Sequence, residues 1–175
     1  MLEEVPTGLD KLYHRMMKQI EQLKTTQNKE FCRLVLSAVT LAYRSLSIPE
    51  LSVVAGLRGT NAGKAKAVRT IVGMCGSFLT LRDDQVFVIH QSANDYLTTW
   101  LQPAGVAQGH IDISRRSLDA MTSILEQKNL YNLDFGFKPK DIRPPQPDPL
   151  GPIRYSCVFW ADHLCSLNSD NCGGA

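Results

Sequence analysis

The chain has 175 residues, 43% hydrophobic and 7% aromatic, enough for one ordinary domain, or a small one with extensions, around a core of Leu, Val, Ile and Met. A net charge of +2 and a pI near 8.3 are too mild for a binder of nucleic acid or anionic membrane, and no basic run exceeds Arg115-Arg116. The five cysteines (Cys32, Cys75, Cys157, Cys165, Cys172) are odd in number and form no CxxC, the amino terminus is acidic with no apolar stretch behind it, and no run of about 18 apolar residues exists, which argues for a soluble, cytoplasmic chain with free thiols.

Pro6-Thr7-Gly8 precedes a first amphipathic helix, with Leu9, Leu12, Tyr13, Met16, Met17, Ile20 and Leu23 on one face and Lys11, Arg15, Lys18, Glu21 and Gln22 on the other. Such a stripe is a core-facing surface before it is a membrane or partner helix. Thr25 to Asn28 is a polar break with N-cap chemistry, and a second, broadly apolar helix is predicted over Lys29 to Arg44. Ser47-Ile48-Pro49-Glu50 is a capping box with proline in the first turn and opens a short third helix through Leu57.

Gly56 to Gly63 reads as a loop, and a fourth helix is predicted from Ala62 to Gly76 with Ala65, Val68, Ile71, Val72 and Cys75 buried. Gly59 to Ala65 looks like a phosphate loop but fails. Three residues separate its glycines instead of four, and Ala65 stands where a magnesium-binding hydroxyl is needed. Phe78 to Leu81 and Val86 to Ile89 then flank a four-residue turn, Arg82 to Gln85, which is a hairpin signal with Val86, Val88 and His90 on one side. Ser92 to Asp95 is a second capping-box pattern. It opens a helix expected to stop near Gln102, before Pro103, Gly105 and Gly109.

A further helix is predicted after Ile113, capped by Ser114. Six of the nine prolines fall between Pro139 and Pro152, an extended connector that could alternatively serve as a ligand for an SH3 or WW domain. Leu130, Tyr131, Leu133, Phe135 and Phe137 are expected to pin the stretch before it, and a last helix spans Ile153 to Leu167.

No catalytic constellation is complete. Cys157, His163, Cys165 and Cys172 match no structural zinc spacing, so no metal site is expected, and no nucleophile elbow occurs. Asp83-Asp84 serve turn chemistry. Lys64, Lys66 and Arg69 on the last helix before the hairpin are possible basic contacts, but three cations beside two hairpin aspartates are thin electrostatics for DNA. His90, by contrast, directly precedes a helix N-terminus, where an N–H donor and the helix dipole together suit a phosphate. A lone histidine at a strand end is otherwise a structural residue.

Val88-Ile89-His90-Gln91-Ser92-Ala93-Asn94-Asp95-Tyr96-Leu97 resembles the winged-helix domain of STAND nucleotide switches, in particular fungal NACHT proteins of the NLR-like, heterokaryon-incompatibility type. Gly8 to Tyr13, Leu36 to Arg44, Ile48 to Leu51, Ile71 to Leu79 and Pro152 to Leu164 support the resemblance, which covers most of the chain. It implies an ATPase core before this unit, sensor repeats after it, and a Met-His-Asp motif whose histidine holds the β-phosphate of ADP. Ile89-His90-Gln91 occupies that place, with Gln91 where the family has an acid.

Walker A and Walker B elements are absent, so the chain is expected to be a non-enzymatic fragment, with ADP or ATP and magnesium held only in a full-length parent. The predicted fold is mainly α: an N-terminal helical arm (1–26), a winged-helix unit with one β-hairpin (27–101), and a helical segment with the proline-rich connector (102–175, connector 139–152). The expected function is regulatory, coupling ADP/ATP state to opening. Its expected partners are the nucleotide-binding domain of the same or a related protein and other proteins, with neither nucleic acid nor membrane. A DNA-binding winged helix and a free-standing protein-interaction adaptor are the alternatives.

Overall fold

The computed structural model describes residues 7–57, 64–131, 133, 136, 138 and 143–166. It is mainly helical, with one small three-stranded antiparallel sheet. Helix α1 (Thr7–Glu21) buries Tyr13, Met17 and Ile20, while Leu12, predicted on the same face, is 49% exposed. Helix α2 (Thr26–Leu41) starts three residues earlier than its apolar pattern suggests, because the Thr25 hydroxyl accepts the Asn28 N–H at 3.2 Å. Cys32, Val35, Leu36 and Ala38 make it the centre of the core.

Strand β1 (Leu46–Ser47) is not legible as a strand in the sequence, since two residues carry no alternation. Ser47 ends it and caps helix α3 (Ile48–Val54), and the predicted capping box is present in both directions. Helix α4 (Ala65–Met74) is shorter at both ends than the 62–76 expectation. Residues 58–63, and with them most of the glycine-rich loop, lie outside the described residues.

Strands β2 (Leu79–Arg82) and β3 (Gln85–Val88) pair from Leu79↔Val88 to Arg82↔Gln85, so the turn has two residues rather than four. Asp83 and Asp84 both take positive φ (47° and 63°), which matches the right-handed twist of a hairpin and which short acidic side chains tolerate. Strand β1 adds to β3 through Leu46↔Val86, giving the order β1-β3-β2. The order α2-β1-α3-α4-β2-β3 contains the three helices and the hairpin read from the sequence, with β1 added between the first two helices.

The largest departure is helix α5 (Gln91–Leu125). The helix predicted to end near Gln102 does break there, with Gln102 at φ 59° and ψ 162°, but helical geometry resumes at Pro103 and continues to Leu125. Proline disfavours helical geometry in the residue before it and suits the first position of a new helix, so Pro103 ends one half and begins the next. Ser114 is therefore not a cap; it is buried mid-helix, and its hydroxyl donates to the Trp160 carbonyl at 2.9 Å. Gly109 is not a breaker but a point of close approach to α2, where a Cβ would collide with Leu41 Cδ1 and lie 3.2 Å from Ser37 Oγ. Gly109→Val is expected to lower stability by roughly 2 kcal/mol through overpacking, read as a lowered urea midpoint at unchanged slope.

Helix α6 (Arg154–Cys165), entered through a 3₁₀ turn at Gly151–Ile153, packs chiefly on α5 and also on α3. The Asp148 carboxylate anchors the end of the connector. It pairs with Arg154 at 2.7 Å and accepts from the Tyr131 hydroxyl and the Leu150 N–H, both at 3.0 Å. Phe135, Phe137 and residues 139–142 lie outside the described residues. The main core joins α1 through β3, both halves of α5, and Tyr155 of α6. A smaller cluster gathers Val53, Ala120 and Ile153. Among the described residues no helix is long and apolar enough to cross a membrane.

Candidate functional site

The sheet delivers His90 to the head of α5. Strand β3 ends at Val88, and the Ile89 N–H closes on the Phe78 carbonyl at 2.9 Å. His90 is extended (φ −155°, ψ 152°), and its carbonyl accepts from the N–H groups of Ala93 at 3.0 Å and Asn94 at 3.2 Å. His90 is thus itself the N-cap, two residues ahead of the Ser92 box read from the sequence. Its Nδ1 accepts the Ser92 backbone N–H at 3.3 Å and lies 2.8 Å from Ser92 Oγ. Asp95, the expected partner in that box, instead accepts from Gln91 Nε2 at 2.9 Å.

An N-capping imidazole has a definite electronic consequence. A backbone N–H can only donate, so the Nδ1 it meets carries no hydrogen. The neutral ring then holds its hydrogen on Nε2. His90 and Gln91 are exposed, Ile89 is 51% exposed and Phe87 39% exposed, so the three residues of the expected motif stand on open surface. The first turn of α5 holds no acidic side chain, leaving the positive end of the helix dipole unneutralised. Alternation, which would have set His90 with the buried Val86, stops after Val88.

Lys64, Lys66 and Arg69 are exposed, but the structure does not assemble them with His90. Arg69 forms an ion pair with Asp84 at the hairpin tip, and the chain from Asp84 to His90 spans about 20 Å at extended spacing. That pairing removes one of the three cations offered for DNA and places carboxylates on the same edge. Among the described residues no group of three or more His, Cys, Asp or Glu could hold a metal ion. Cys32 and Cys75 are buried free thiols and Cys157 and Cys165 exposed ones, while Cys172 lies outside the described residues.

Two buried polar groups escape a reading of the sequence. Glu50, recognisable there only as a capping residue, is 3% exposed and accepts from Arg44 Nη2 at 2.6 Å, Arg44 Nη1 at 3.0 Å, the Ser47 N–H at 2.9 Å, and the Tyr155 N–H at 3.1 Å. Burial pushes its carboxyl up, but the hydrogen bonds from Arg44 and Ser47 and the Arg44 charge outweigh this and leave it below the ordinary range.

His163, completely buried, takes the Tyr155 hydroxyl on Nε2 at 2.7 Å and meets His110 Nδ1 through its own Nδ1 at 2.7 Å. Burial and then the nearby His110 hold His163 down at about 4, and burial raises the Tyr155 hydroxyl to about 12, so it remains a donor. Beside the Gln102 break a cleft of about 520 Å³ is lined in part by Thr98, Gln102, Pro103 and His110.

No family model and no solved structure matches the chain. It is 33% identical over 185 aligned residues to the vegetative incompatibility protein HET-E-1 of Podospora anserina, an alignment covering 96% of this chain. The chain spans about 13% of that protein's length. The likeness to a fungal incompatibility protein thus agrees with the heterokaryon-incompatibility part of the resemblance read from the sequence.

Proposed function

We propose, from this relation to a stretch of HET-E-1, that the chain is the regulatory winged-helix and linker part of a NACHT-type signalling ATPase and couples its ADP- and ATP-bound states to opening. The observation that carries the reading is the His90 cap: an exposed imidazole at a bare helix N-terminus, with Nδ1 occupied and Nε2–H left to donate. A phosphate oxygen of ADP would accept that hydrogen, and Ile89 and Gln91 flank it. The rest of the nucleotide site, including the magnesium site, belongs to the nucleotide-binding domain of the same or a related polypeptide, which is the proposed partner. This unit supplies no catalytic group of its own and acts in the cytoplasm. Its mechanism is population shift: the histidine adds affinity to the closed, ADP-bound arrangement and none to the open one.

The test joins this chain to its nucleotide-binding domain in the parent protein and follows release of a fluorescent ADP. A hydrogen bond to a charged group is worth about 1.5–3 kcal/mol, so His90→Ala should speed release roughly 10- to 100-fold. An unchanged off-rate would overturn the reading.

A further inference from the structure

His90 does not hold its ring alone. The Tyr13 hydroxyl of α1 lies 2.8 Å from Ser92 Oγ, which in turn lies 2.8 Å from His90 Nδ1. Nδ1 already receives the Ser92 backbone N–H, so it is bare, and the Ser92 hydroxyl must point its hydrogen at it. With that hydrogen committed, the Tyr13 hydroxyl is the donor to Ser92 Oγ. The direction of every bond in the chain Tyr13 O–H to Ser92 Oγ, then Ser92 O–H to His90 Nδ1, follows from one backbone amide. Successive bonds of this kind polarise one another. Tyr13 is anchored: it is 5% exposed, with its ring 5.9 Å from Phe78 and 5.5 Å from Tyr96.

We propose that Ser92 and Tyr13 are positioning residues that hold His90 in the Nε2–H tautomer with its ring fixed outward, so that helix α1 sets the donor offered to the nucleotide phosphate. The inference rests on the phosphate role proposed for His90. It adds that the N-terminal helix, across 79 residues of sequence, is part of the sensing device. Moving α1 away would remove the donor to Ser92 Oγ and leave the Ser92 hydroxyl free to turn from Nδ1, so the ring would be held less firmly in one tautomer.

The test separates the two claims because the tautomer is read without nucleotide. Long-range proton–nitrogen correlation spectra of the neutral imidazoles in this chain should show His90 with its hydrogen on Nε2. Ser92→Ala and Tyr13→Phe should each broaden or mix that signal, Ser92→Thr should restore it, and the fold should remain intact by amide spectra. In the longer protein Ser92→Ala should raise ADP release by roughly fivefold, the scale of one lost neutral hydrogen bond. A wild-type His90 with its hydrogen on Nδ1, or an unaltered tautomer in both variants, overturns the relay whatever the nucleotide result. A tautomer that responds while His90→Ala leaves ADP release unchanged overturns the phosphate role and with it the positioning role, although the hydrogen-bond chain stands.

Discussion

Glu50→Ala is expected to remove roughly 2–4 kcal/mol of folding stability, the scale of two backbone donors left without their acceptor. The carboxylate is the meeting point of α2's trailing segment, the cap of α3 and the start of α6. Its removal leaves the Tyr155 N–H, a buried donor 105 residues away in sequence, without its acceptor. It also strips the Ser47 N–H of its half of the capping box. Arg44 suffers less, because its side chain is 39% exposed and can turn to water, though it would lose its stack on Tyr155, 5.2 Å from the ring centre.

Glu50→Gln keeps the shape but turns an NH₂ group toward one of the donors, so about half the loss is expected, and this variant remains measurable if the alanine protein does not fold. Urea titration at constant slope is the measurement. A loss below about 1 kcal/mol for Glu50→Ala would show that water already satisfies these donors.

The contrast between how this residue looks in the sequence and what it does in the fold extends to the whole chain. Ser47-Ile48-Pro49-Glu50 is legible because a cap is local chemistry: four consecutive residues suffice to specify it. Thr25 and the period-2 alternation of the hairpin are legible for the same reason. The second half of α5 is not, because Pro103, Gly105 and Gly109 all carry breaker signals whose meaning is set by what lies across from them. Pro103 starts a helix and Gly109 makes room for Leu41. Strand β1 is invisible because its identity comes from its pairing partner. At the candidate site, the place of His90 at the junction can be read from the order of elements, whereas the Nδ1 acceptor role and the Tyr13 contact depend on distances that no spacing encodes. His163 carries no signal at all, since its partner His110 is 53 residues away in a stretch whose glycines suggest a loop.

That last pair sets the acid limit of the fold. The Tyr155 hydroxyl accepts the Tyr43 N–H at 3.1 Å and has His163 Nε2 as the acceptor for its own hydrogen at 2.7 Å; in that arrangement His163 is neutral with its hydrogen on Nδ1, donated to His110. A second proton on His163 would have to sit on Nε2, facing the Tyr155 hydrogen, inside a site walled by the Tyr43 ring 4.6 Å away. Folding therefore depresses the His163 value from 6.5 to about 4, and burial lowers His110 as well. Between those two values the unfolded chain binds a proton that the folded chain refuses, so stability falls as pH falls.

The expected loss from pH 6.5 to 4 is about 2 kcal/mol, taken below the full shift because the His110 side of the pair is half open to water. Glu50 has the opposite sign of charge but adds to the decline only lower down. Its folded value is depressed from 4.5, so its contribution is intact above that point and lost as pH drops through the folded value.

Two acid phases follow, a histidine phase above about pH 4.5 and a carboxylate phase below it. Thermal melts across this range should show the upper phase shrink markedly in His163→Gln, at a lower plateau stability, and persist in full in His14→Gln, which alters an exposed histidine on α1. A melting temperature in the parent chain that is flat from about pH 6.5 to 4.5 would mean that the folded interior accepts the proton. In that form the Tyr155 hydroxyl would accept from His163 Nε2–H rather than donate to it, while His163 Nδ1–H would still donate to His110.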